Sequence, residues 1–216
     1  MSIIEVLANK IADKISEKLL LEEEKKAVIA YGLIGILQVT TLFLLVTLLG
    51  LLTGTLYESL MIFFTVGFLR KSTGGAHAQT MWGCNTVSVL SILILALISR
   101  YVLGISLRTS VHLLLAFAVF TAALLVFYHR VPVDSPNKPI VSEVKIKRLR
   151  RESFMKLLLL LIIAVSCIWN AERAQRLYSI SSSILMAMVW QMITLTDQGA
   201  RFLEKMDTTL SKILQL

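Results

Sequence analysis

His77 and Cys84 stand seven residues apart in the stretch RKSTGGAHAQTMWGC, residues 70–84. A thiol is the side chain best suited to nucleophilic attack near neutral pH, but with a pKa of about 8.5 only a few per cent of it is thiolate at pH 7. A neighbouring imidazole can take the proton, and the imidazolium then stabilises the thiolate. Gly74 and Gly75 allow backbone turns that other residues resist, and their N–H groups are candidate donors to an oxyanion. These residue types predict nucleophilic attack by a thiolate on a substrate carbonyl. Spacing alone leaves a plainer alternative open, in which the cysteine is a small buried apolar residue and the histidine is solvated.

Geometry constrains the pair. Seven residues of continuous helix rise about 10.5 Å, too far for a hydrogen bond of about 3 Å. A working dyad therefore requires the helix to break between the two residues, and Gly83 is the expected break. Ser72, Gln79 and Asn85 are polar candidates for orienting His77 or holding the oxyanion. Arg70 either marks the end of an apolar span or pairs with a carboxylate. Cys167, within LIIAVSCIWN, reads as structural. Glu58 lies nineteen residues before His77, about 28 Å along a helix, and is a poor third member.

The elements that must position these residues are membrane helices. The chain has 216 residues, 56% of them hydrophobic, with a mean hydropathy of +0.76. Several segments exceed the roughly 18 apolar residues of a membrane span. The expected fold is all-α: a polytopic integral membrane bundle of about six transmembrane helices with amphipathic N- and C-terminal helices. The domain organisation is an interfacial helix at 1–26, a membrane domain at 27–196 and an amphipathic tail at 197–216. The spans fall near 27–51, 55–69, 85–99, 111–128, 154–169 and 178–196, with loops at 70–84 and 129–153. All three prolines fall in the second loop. Residues 1–26 hold eleven charged residues and no apolar h-region, so no removable signal peptide is expected.

Six spans place both termini and both loops on one side, with 18 of the 22 Lys and Arg residues; only Arg100, Arg108, Arg173 and Arg176 fall on the other. The positive-inside rule assigns the crowded side to the cytoplasm. The net charge of +8 then reads as attraction to anionic lipid; no aromatic-plus-basic pattern for nucleic acid is present. Two cysteines make no disulfide framework. His77, His112 and His129 are scattered without an H-E-x-x-H motif, so no metal is expected; no GxSxG elbow and no cofactor signal appear. Lys145, Lys147, Arg148, Arg150 and Arg151 read as a lipid-headgroup anchor or as a cradle for an acidic peptide tail.

The motif R-x3-GG-x-H-x6-C at 70–84, PVDSPNKP at 132–139 and the basic run KIKRLRR after it resemble the accessory gene regulator B family over nearly the whole chain. The resemblance implies a membrane cysteine endopeptidase of Gram-positive bacteria. It would cut the acidic C-terminal part from a small amphipathic propeptide and pass the acyl group to a cysteine or serine of the same peptide. The product would be a cyclic thiolactone or lactone, the precursor of a quorum-sensing autoinducer. By motif match Cys84 is the nucleophile and His77 the general base; a homodimer is implied too. Ala76 departs from the aromatic residue common in the family. The alternative function is a non-enzymatic peptide exporter or binding scaffold, supported generically by the several spans, by intramembrane polar residues such as Gln38, Asn170 and Gln191, and by the lack of a metal-cluster motif.

Overall fold

A computed structural model describes residues 3–76, 80–104, 108–134 and 142–214. Helix α1 spans Ile3–Leu19, α2 Glu23–Leu52, α3 Leu56–Thr73 and α4 Met81–Leu97, which runs on as a π-helical turn Ile98–Leu103. Helix α5 spans Thr109–Arg130, α6 Glu143–Asn170, α7 Arg176–Thr194 and α8 Asp197–Leu214. Among the described residues there is no strand; one isolated parallel bridge joins Gly74 to Val133.

The solvent of this fold is hydrocarbon. Val28, Ile36, Val39, Leu44, Leu48 and Leu51 of α2 all face outward, as do Leu114, Leu125, Leu158 and Ile162 of α5 and α6. Water would penalise that much contiguous apolar surface, whereas a bilayer matches it, and helices satisfy their own backbone there. Among the described residues five helices, α2, α4 with its π turn, α5, α6 and α7, are long and apolar enough to cross a membrane. Six were expected. The difference is α3, whose 18 residues include Glu58, Arg70 and Lys71.

Helices α3 and α7 form the centre, each packed against most of the others. A run of small residues, Ser179, Ser181, Ser182 and Ser183, is buried along α7 and lets neighbouring backbones approach closely. Leu69, Phe127, Leu157, Ala164, Ile184 and Met188 make one apolar core; Val46, Ile62, Val89 and Ala187 make a second. At one end of α3, buried Glu58 accepts from Ser179 Oγ (2.6 Å) and pairs with Arg100 Nη1 (3.2 Å) of the π turn.

Four expected boundaries are corrected. The N-terminal helix ends at Leu19, not at 26: Leu20 takes a positive φ of 48° and residues 23–26 open α2. Ala8, Ala12 and Ser16 of α1 pack on α2, while Leu7 and Leu19 stay exposed. The 70–84 segment is helical to Thr73 and again from Met81. Gly83 is therefore not the break but lies in the first turn of α4. The basic run at 145–151 is not loop: it forms the opening turns of α6.

Candidate functional site

The site begins where α3 stops. Gly74 takes a φ of 70° and its N–H closes the helix on Arg70 O (3.0 Å); Gly75 takes a φ of 129°. These values favour glycine. Three distant elements then strap the turn. From α7, Gln191 Nε2 donates to Thr73 Oγ1 (2.8 Å) and Gly74 O (2.9 Å), and Ala76 N donates to Thr194 O (2.8 Å). From the proline segment, Val133 N donates to Thr73 O (2.8 Å). A Cβ on Gly74 would overlap Val133 O, and one on Gly75 would press on Thr194 Oγ1 at 3.0 Å. Gln191 is fully buried. An amide in an apolar span is costly unless bonded, so its placement is tied to this turn.

The third strap comes from α8. Thr80 caps α4: its Oγ1 accepts from Gly83 N (3.0 Å). Thr80 N donates to Asp207 Oδ2 (2.9 Å), and the Thr80 hydroxyl donates to Asp207 Oδ1. Asp207 thus stands at the N-terminus of α4, where helix amides carry partial positive charge.

Cys84 sits in that first turn, its N–H bonded to Thr80 O (2.9 Å). Cys84 is half-buried and not disulfide-bonded to Cys167. It lines a cavity of about 20 Å³ with Arg70, Ala76, Val87, Ser88, Trp190, Thr194 and Leu203, room for about one water. The Arg70 guanidinium is within electrostatic range of Cys84. Its Nη2 donates to Ala76 O, while its Nε is buried without a partner among the described residues.

The other expected site residues are placed as follows. His77 and Gln79 lie outside the described residues. Gly74 spends its N–H on capping α3, which leaves Gly75 as the remaining member of the pair for an oxyanion. Ser72 is buried and donates back to Leu69 O (3.2 Å) of its own helix. Asn85 points away from the Cys84 cavity: its Oδ1 accepts from Gln38 Nε2 (3.3 Å). It lines an apolar groove of about 430 Å³ with Ile4, Thr41, Leu45 and Trp82. Within the basic run, Lys147, Arg148 and Arg151 are exposed and Arg148 Nε lies 3.6 Å from Glu152. Lys145 is half-buried. Arg150 Nε donates to Val131 O (3.0 Å), which ties α6 to the segment that bridges Gly74. His112 stacks on Tyr178 with ring centroids 4.5 Å apart. Gln191, Thr194, Leu203 and Asp207 were not singled out for the site from the sequence. One signal was present: Asp207 interrupts the stripe of Leu203, Met206 and Leu210, where an acid needs a partner.

Comparison with known proteins places these residues in a family context. The family model described as Accessory gene regulator B matches residues 8–195. An AgrB-like protein of Clostridium perfringens strain SM101 is 28% identical over 218 residues, covering 98% of this chain and 100% of its own. Protein FsrB of Enterococcus faecalis is 27% identical over 125 residues, 57% of this chain and 48% of its own. An AgrB-like protein of Halalkalibacterium halodurans is 39% identical over 71 residues, 33% of this chain and 36% of its own. No solved structure matches.

Proposed function

Since the chain belongs to the accessory gene regulator B family, multi-pass bacterial membrane proteins with a role in processing agr quorum-sensing propeptides, we propose that it is a cysteine endopeptidase and cyclase acting through Cys84. The observation that supports this best is Cys84 in the first turn of α4, sharing a small cavity with the Arg70 guanidinium. The guanidinium is a fixed positive charge close to the sulfur.

Cys84 Sγ attacks the scissile carbonyl, and His77, assigned by the family motif, receives the thiol proton. His77 returns that proton to the leaving amine, the C–N bond breaks, and the acidic tail departs, leaving an acyl thioester on Cys84. The peptide's own thiol then attacks the thioester. Its proton goes to Cys84 and the ring closes as a thiolactone; a serine hydroxyl would give a lactone. One thioester replaces another, so closure needs no ATP. Arg70 offsets the negative charge that passes through the sulfur and the tetrahedral oxygen. The exposed arginines and lysines at the start of α6 receive the acidic tail or anionic headgroups. With the central helix α3 taken as a sixth crossing beside the five apolar helices, both termini and the site face the cytoplasm, on the charge asymmetry of the loops.

The test is co-expression with the small acidic-tailed open reading frame expected beside the gene. Mass spectrometry follows the freed tail and an acyl adduct on Cys84. Cys84→Ala and His77→Ala abolish both products while the protein still inserts. A Cys84→Ala protein that released the tail would end the proposal and favour an exporter or scaffold.

A further inference from the structure

Resting on the reading of Cys84 as the acylated nucleophile, we infer that α8 is a latched wall of the catalytic cavity. Asp207 is the positioning residue that anchors the wall to the N-terminus of α4, and Leu203 closes the cavity over Cys84 against water.

Leu203 and Asp207 are one turn apart on the same face of α8, each 4% exposed. Leu203 lines the cavity with Cys84. Asp207 accepts both the backbone N–H and the hydroxyl of Thr80, the residue that caps α4. With its proton given to Asp207, the Thr80 hydroxyl presents its lone pairs to Gly83 N, one residue before Cys84. The cap that starts the nucleophile's helix is thus oriented from 127 residues away. Gly83 is buried, and a Cβ there would overlap Asp207 Oδ1, so glycine is what lets the carboxylate approach. Elsewhere α8 presents Arg201, Glu204 and Lys205 outward. A carboxylate on the inner face of such a helix is costly without partners, which makes this docking specific rather than a generic apolar contact.

The consequence is chemical. The acyl thioester on Cys84 has two fates. Attack by the peptide thiol gives the ring and regenerates the Cys84 thiol. Attack by water gives a linear carboxylic acid and the same thiol. A closed wall favours the first.

The wall is tested without a substrate. In a Cys167→Ser background, full-length protein in membrane vesicles is treated with a cationic methanethiosulfonate reagent, and the rate of Cys84 labelling is measured. Asp207→Ala, Gly83→Ala and Leu203→Ala each raise the rate about tenfold, the scale of losing one helix-cap interaction; Asp207→Asn, which keeps one acceptor oxygen, raises it about threefold. In an Asp207→Ala background, Gly83→Ala adds less than about twofold, because the carboxylate it overlaps is gone and the other close atom, Thr80 Oγ1 at 2.8 Å, is then free of Asp207 and can rotate. Rates within about twofold of the parent protein, or a Gly83→Ala effect equal in both backgrounds, overturn the latch. If the alanine variants fail to accumulate, Asp207→Asn and Leu203→Val carry the same comparison. With the propeptide, Asp207→Ala and Leu203→Ala raise the ratio of linear to cyclic product. Faster labelling with an unchanged ratio overturns the water-excluding role. The premise is separated by Cys84→Ala: if that variant still cleaves, the enzymatic reading fails whatever the labelling shows. If it is inactive and labelling is unmoved, only the wall fails.

Discussion

In the proposed reaction Cys84 draws on its neighbours as well as on its type. It occupies the first turn of α4 and shares its cavity with Arg70, whose Nε finds no partner among the described residues. In the proposed reaction this half-buried cation receives the negative charge that develops on sulfur and oxygen. Arg70→Ala is therefore expected to slow tail release about a hundredfold, the scale of removing one transition-state donor. Arg70→Lys recovers part of it, since charge returns without the planar fork; both rates are read by mass spectrometry. Gln191 acts through the backbone. Gln191→Leu suits an apolar span and preserves insertion, but leaves Gly74 O and Thr73 Oγ1 without their donor, a loss of about 1–3 kcal/mol. Cleavage falls about tenfold or more on that scale, with unchanged protein in the membrane fraction as the control.

At the scale of elements, the site is a turn held by segments that are remote in sequence. Gly74 must combine a positive φ with contact to Val133 O. Gly74→Ala meets both obstacles at once, so it is expected to abolish cleavage while the apolar helices still insert. Helix α6 serves two purposes that mutation can separate. Arg150 supports Val131 O and through it the bridge to Gly74. Arg150→Ala therefore lowers kcat for propeptides with acidic or neutral tails alike. Lys147 and Arg151 are exposed; the double change Lys147→Ala/Arg151→Ala raises KM for the acidic-tailed propeptide only. Equal effects of the double change on both tails would assign these residues to lipid instead. The placement of these charges on a helix was not legible in the sequence. Three prolines nearby suggested loop, but the chain from Glu143 onward carries no proline, and its charges cover the faces of a helix start.

The whole molecule is a bundle whose polar contacts sit at its two ends. One end holds the Cys84 site. The other holds Glu58, fully buried, with Ser179 and the partly exposed Arg100. Removing one partner leaves an uncompensated charge. Arg100→Ala is expected to destabilise the fold toward the low end of about 3–5 kcal/mol, and Glu58→Gln/Arg100→Gln to recover most of that loss. Thermal melts in detergent measure both, and loss of stability in the double variant equal to the single one would refute the pairing. The Cys84 site lies at the other end of α3, twelve residues and about 18 Å of helix away, so cleavage by the folded fraction stays unchanged.

The sequence by itself determined the membrane class, the helical elements and the amphipathic ends. Hydropathy, periodicity and glycine chemistry are local, and they can be read a few residues at a time. Only the tertiary structure decided what meets Cys84. Thr194, Leu203 and Trp190 reach its cavity, and Asp207 its helix cap, from more than a hundred residues away. No local pattern encodes a pairing across that distance. Gly83 shows the difference most plainly: a glycine beside Cys84 reads locally as a helix breaker, yet it is helical, and a carboxylate from α8 occupies the space a side chain would need.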